Sequence, residues 1–352
     1  MNKSDFKQKS TRASVKSEQL REISSLSEVQ FSSINLSQIS PPSDSNPGDC
    51  VFVGDEAGLT LAIDAKAACI IVTEKLQELA KSKVNSVNGR SICLFSTKNL
   101  PTAMSDVFKL FDQHPIRPAG YIHPHASIHP TAQVAATAYV GPYTVIDAYA
   151  EIAEHAVIES HVFVASFTIV GARTILQPYC SIGTPGFGYV QTKNATGSTV
   201  HKRIPQIGRV VIEEDCELGS FCAVDRAALT ETRIGRGTKM DNFCHIAHNC
   251  QVGEHSILAA GFIMAGSSSI GRNTMAGGSV HLTDHVHVCD NVVMVGRTGV
   301  TKDIEKPGMY GGFPATDFKD SLRVLSSIAY LPRIRKQISI ICKHLGIEYK
   351  EN

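Results

Sequence analysis

The chain has 352 residues, with 34 Lys plus Arg against 33 Asp plus Glu, 43% hydrophobic residues and no Trp. This balance lacks the basic footprint of a nucleic-acid binder, and no window reaches the run of about 18 apolar residues that a membrane span requires. The 10 cysteines are scattered along a long chain without the apolar core of a secretory signal, which favours reduced thiols over a disulfide framework.

Residues 1–30 open with MNKSDFKQKSTRASVKSEQLREIS, which is polar, mildly basic and Ser-rich. They read as a flexible tail, with an organellar transit peptide as the alternative. Over 31–118, DCVFVGD, AACIIVTEKL and SICLFST read as short strands, and GLTLAIDAK and LPTAMSDVFKLFD as helices. Together they predict a small α/β domain ending at the Pro-containing HPIRPAG.

Over 119–312 a beat of six takes over. Ile122, Ile128, Val134, Val140, Ile146, Ile152, Ile158, Val164, Val170, Leu176 and Ile182 are all aliphatic. At the chain's own hydrophobic frequency such a run arises by chance about once in 10,000. The beat returns at Ile212, Leu218 and Val224, shifts register once, and continues from Ile234 and Met240 to Val300. Six is not a helical spacing, and no strand runs for sixty residues. Each hexad is therefore a short strand plus a turn, and the solution is a parallel β-helix with one aliphatic side chain per hexad pointing inward. Between Ile182 and Ile212 the beat breaks at GTPGFGYVQTKNATGSTVHKRIPQIG, an extruded loop of the kind that often carries function.

Residues 313–352 change to helical spacing. Phe318, Leu322 and Leu325, then Ile334, Ile338, Ile341 and Leu345, recur at intervals of three and four, and Pro332 separates two helices. Their polar faces carry Arg323, Arg333, Arg335, Lys336 and Lys343.

The stretch DNFCHIAHNC, residues 241–250, carries the chemistry. His245 and His248 flank the inward Ile246. A metal bridging them between subunits would need a third histidine, for which His281, His285 and His287 are candidates. The C-x5-C spacing is not a usual zinc pattern. The second possibility is a catalytic base. His248 stands two residues after an inward aliphatic, and Gly266 stands at the same position one coil of three hexads later, so the two stack about 5 Å apart. That pairs a proton acceptor with an accessible amide, the two groups that amide formation from a thioester demands. His285 lies about two coils from His248 on the same face, placed to bind phosphate or the oxyanion. Gly296 and Gly299 either serve tight turns or leave room for an acyl chain.

The ordered set GTPGFGYV, IPQIGRVVI, AVDRAAL, DNFCHIAHN and AGFIMAGSSSIG resembles the UDP-3-O-acylglucosamine N-acyltransferase family of lipid A biosynthesis, within the hexapeptide acyltransferases. The resemblance runs from about Gln38 to the C-terminal helices. It implies a mainly β fold: a left-handed parallel β-helix of hexapeptide repeats, preceded by a small α/β uridine-binding domain and followed by C-terminal α-helices. It implies His248 as general base, Gly266 at the oxyanion position and His285 as a supporting histidine. Asp241 and Asn242 match the family's DN, in a substrate-binding or turn-capping role. Phe52 falls at the aromatic position that stacks on uracil, although the second aromatic of that clamp is replaced by Gly58. His245 has no family role and reads as surface or interface. The partners implied are two further copies in a homotrimer, acyl carrier protein, which docks on the basic C-terminal helices, and UDP-3-O-acylglucosamine. The acyl donor arrives on the carrier's phosphopantetheine arm, with no other cofactor and no metal, in the cytoplasm. The alternatives are a different nucleotide-sugar acyltransferase and a non-catalytic β-helix scaffold.

Overall fold

In the computed structural model, residues 15–87, 89–112, 117–311, 323–324 and 326–347 are described. They form two compact units, divided between residues 116 and 117.

The first unit holds a five-stranded sheet in the order Ser27–Gln30, Cys93–Thr97, Cys69–Thr73, Cys50–Val53, Ile39–Ser40. The first pair is antiparallel and the rest are parallel. The strands are near-continuous apolar runs because helices cover them. Glu56–Asp64 and Leu100–Phe111 start where Asp55 and Asn99 accept the N–H of Gly58 and Thr102. Gly58 thus closes a helix turn.

The expected tail over 1–30 is corrected for its second half. Val15–Lys16 pairs with Asn35–Leu36, Ser27–Gln30 joins the sheet edge, and Val15 and Leu20 are buried. A few apolar side chains among polar neighbours anchor a segment whose composition resembles a tail. Residues 1–14 lie outside the described residues.

The second unit is a left-handed parallel β-helix. Three sheets of nine, nine and eight strands form its sides. Strands such as Tyr139–Val140, Val157–Ile158 and Ile175–Leu176 pair in register from one coil to the next. The second residue of each two-residue strand points inward. Val140, Ile158, Leu176, Leu218, Met240 and Leu258 line one side of a single buried core. Most corners then place one residue in the left-handed region, which costs about 1–2 kcal/mol for most side chains. Asn249, Asn273, Asn291, Asp215, His155 and His285 occupy such positions with φ between 54° and 61°, in keeping with the enrichment of Asn, Asp and His there.

Two excursions break the regular pairing, and both leave from the corner between the second and third sheets. The first follows Ser181–Pro185 and forms an exposed antiparallel hairpin, Tyr189–Lys193 with Thr199–Arg203. The second, after Ala223–Arg226, lengthens one coil so that Ala223 pairs with His245, where an unbroken repeat would bring Asp241. At a different corner, between the first and second sheets, His125, Tyr143, His161, Tyr179, Phe221 and Phe243 stack in a column with ring centroids 4.9–5.3 Å apart.

Beyond the β-helix, Leu331–Leu345 is a helix with Pro332 in its first turn and Gly346 closing it at φ +67°. Ile334, Ile338, Ile341 and Leu345 are exposed along it. Phe318, Leu322 and Leu325 lie outside the described residues. No described helix is long and apolar enough to cross a membrane.

Ile158 is fully buried between Val140 and Leu176. The stacked coils above and below cannot collapse into a gap, so Ile158→Ala is expected to cost about 2–5 kcal/mol. Guanidinium denaturation of the β-helix should show an earlier midpoint, and an unchanged midpoint would contradict the inward placement.

Candidate active site

His248 stands at the corner after the strand His245–Ile246, and Gly266 at the corner after Ile263–Met264, one coil on. Their backbones are tied by the Ser267 N–H, which donates to the His248 carbonyl at 2.9 Å. Glycine is required there by the ring itself. A Cβ on Gly266 would stand 2.5 Å from His248 Cε1, and one on Gly186 would stand 2.7 Å from His248 Cβ. The imidazole is therefore packed between two residues without side chains, one of them at the root of the extruded hairpin. Among the described residues no acceptor engages the Gly266 N–H. His248 Nδ1 lies 3.0 Å from Asn249 Nδ2.

His285 is at the same corner, its N–H donating to the Gly266 carbonyl at 3.1 Å. In register it stands over Ser267 and Asn249, while Asp284 stands over Gly266. Its side chain is 75% exposed and lies 3.3 Å from Asp284. Asp241 and Asn242 are not brought to His248. They occupy the preceding corner, where Asp241 Oδ1 accepts the Asn242 N–H at 2.7 Å and Asn242 Oδ1 accepts the Ser220 N–H at 2.8 Å. That is turn capping. The same two residues line a surface groove with Gly219, Lys239, Ile257 and Ala259. In the first unit Phe52 meets Phe108 edge-on at 5.8 Å.

His245 is 40% exposed, in keeping with a surface position. Its Nε2 lies 3.7 Å from Asp225 Oδ2, and the Asp225 side chain is only 13% exposed. Asp225 also faces the Thr184 hydroxyl at 3.5 Å. Burial raises its carboxyl above the ordinary value, while the charges of His245 and His248 pull the other way. Asp225 was within reach of sequence reasoning, since it lies within AVDRAAL, one of the five ordered motifs. Its neighbour Arg226 donates to the carbonyls of Gly183 at 2.6 Å and Ser166 at 2.8 Å, holding the strand from which the hairpin departs.

The two cysteines of DNFCHIAHNC point into the core, and burial pushes the Cys250 thiol up to about 11. No group of three or more His, Cys, Asp or Glu side chains among the described residues is arranged to hold a metal ion. Gly299 belongs to a strand and Gly296 to a corner, neither with positive φ, so no tight turn demands either glycine. A Cβ on Gly299 would meet nothing within 4 Å.

No family model matches the chain. It is 45% identical over 150 residues to UDP-3-O-acylglucosamine N-acyltransferase 2 of Sulfurimonas denitrificans, a match covering 42% of this chain and 46% of that protein. It is 44% identical over 149 residues to UDP-3-O-acylglucosamine N-acyltransferase of Wolinella succinogenes, again covering 42% and 46%. The chain thus spans about half the length of these relatives. Among solved structures, LpxA from Acinetobacter baumannii superposes with a TM-score of 0.48 at 26% identity, over 57% of this chain and 76% of that one.

The Asp225 carboxyl gives a test of this geometry. Its folded-state value stands above the unfolded one, so the native chain binds the proton more tightly. Ionised Asp225 then costs stability at neutral pH, and the cost fades as pH falls through the carboxylate range. Asp225→Asn cannot ionise. It is expected to melt higher than wild type at about pH 7, with the gap closing towards about pH 4. Melting curves across that range check this, and a variant that melts lower at neutral pH would contradict the burial argument.

Proposed function

We propose that this chain is an N-acyltransferase that moves a 3-hydroxyacyl group from acyl carrier protein to the 2-amine of UDP-3-O-(3-hydroxyacyl)glucosamine, a step of lipid A biosynthesis. The observation that carries the reading is the packing of the His248 imidazole against Gly266, whose N–H has no acceptor among the described residues. The named relatives support the same substrate class. In this reaction the amine nitrogen attacks the thioester carbonyl carbon and a C–N bond forms. His248 takes the proton that the nitrogen sheds. The carbonyl oxygen gains charge and finds the Gly266 N–H. The C–S bond then breaks, and the proton passes from His248 to the departing pantetheine thiolate.

The groups that a single chain keeps apart fit an assembly of three copies. In such a homotrimer the Asp241–Asn242 corner of one β-helix faces the His248 corner of the next, and substrate lies in the cleft between them. The aromatic column ending at Phe243 and the uncovered stripe of Ile334, Ile338, Ile341 and Leu345 are surfaces that this packing would cover. His285, exposed one coil beyond Gly266, is placed to meet the diphosphate or the oxyanion. Phe52 is the residue we assign to the uracil. Arg333, Arg335, Lys336 and Lys343 suit an acidic carrier, and the open space at Gly299 suits a long acyl chain.

His248→Ala is expected to keep the fold and lose about 100-fold or more in turnover, the scale of a missing general base. Thiol release from acyl carrier protein, measured beside a circular-dichroism control, reads this directly. Near-normal turnover in a folded variant would remove His248 from the reaction.

A further inference from the structure

Asn249 follows the base and occupies the left-handed position of its corner, with φ +61°. Its own N–H donates to Thr232 Oγ1 at 2.9 Å. Its side-chain amide is engaged at both ends. Oδ1 accepts the Ala228 N–H at 2.8 Å. Only the carbonyl oxygen of an amide can accept from a backbone N–H, so the orientation of the side chain is determined. Nδ2 is then the atom that faces Ser267 Oγ at 3.3 Å and His248 Nδ1 at 3.0 Å. Nδ2 can only donate. His248 Nδ1 therefore accepts, and the neutral ring carries its one proton on Nε2.

We propose that Asn249 is a positioning residue that locks His248 in the Nε2–H tautomer, so that the unliganded site presents a hydrogen-bond donor at Nε2. The functional consequence rests on His248 being the base; the tautomer does not. To accept a proton at Nε2, the ring must first shift its own proton to Nδ1, and the contact with Asn249 must open. Turning the amide over is no route, because Nδ2 would then oppose the Ala228 N–H and leave that donor without an acceptor. The lock holds the base latent until substrate displaces the ring or the amide.

The test uses the full chain with 15N-labelled histidine at alkaline pH. The His248 resonances, identified by their loss in His248→Gln, should show Nε2 protonated and Nδ1 bare. In Asn249→Asp one carboxylate oxygen keeps the Ala228 N–H and the other accepts from Nδ1, so the protonated nitrogen should become Nδ1. Asn249→Gly, which suits a positive φ, should lose the preference for Nε2–H. Diethyl pyrocarbonate attacks a bare ring nitrogen. It should modify His248 of Asn249→Asp about tenfold faster than in wild type, the scale of one hydrogen bond, as read by peptide mass spectrometry. A wild-type ring with bare Nε2, or Nε2–H retained in either variant, overturns the proposal. Failure of the acyltransferase reading would appear separately, as absent turnover in a wild-type protein whose tautomer is as described.

Discussion

The inward aliphatic side chain at every sixth residue is the constraint from which the β-helix follows. Burying it requires its neighbours to point outward, and the next inward residue must lie on a new face, so the chain turns after each short strand. Three such turns bring it back over itself, and in-register pairing such as Tyr139 with Val157 satisfies the backbone. The core that results is a single column with no alternative packing. A one-residue slip would expose every member of the row.

That rigidity lets a corner become a site. Most corners are closed by their own side chains, through capping as at Asp241 and Asn242 or through ring stacking as at Tyr179 and Phe221. At one corner the order is different. Two excursions leave the stack, Gly186 and Gly266 withhold side chains, and His248 fills the room between them. The same corner gathers Asp225, His245 and Asn249, so charge, orientation and an unengaged N–H converge where the repeat is least regular. Of these parts, the proposed acyl transfer uses the His248 ring and the Gly266 N–H.

How much could be read in advance follows from the same physics. The beat was legible because an inward position tolerates only apolar side chains, and the stacking of His248 with Gly266 was legible because nothing interrupts the three hexads between them. Asp225 was legible only as a member of AVDRAAL; its place beside His245 was not, since the lengthened coil after Val224 pairs Ala223 with His245, and counting three regular hexads from Ala223 leads to Asp241 instead. Residues 15–30 resemble a tail in sequence because their few apolar anchors, Val15 and Leu20 among them, have no period. The separation of Asp241 and Asn242 from His248 is a matter of corners, which a short linear motif conceals.

The most direct measurement mixes the purified chain with a 3-hydroxyacyl carrier protein and UDP-3-O-(3-hydroxyacyl)glucosamine, and follows free thiol and sugar product together by absorbance and mass spectrometry. The account predicts one thiol released for each amide formed at the 2-amine. Absence of thiol release above the protein-free rate, or release with hydrolysed acid and no acylated sugar, would contradict it.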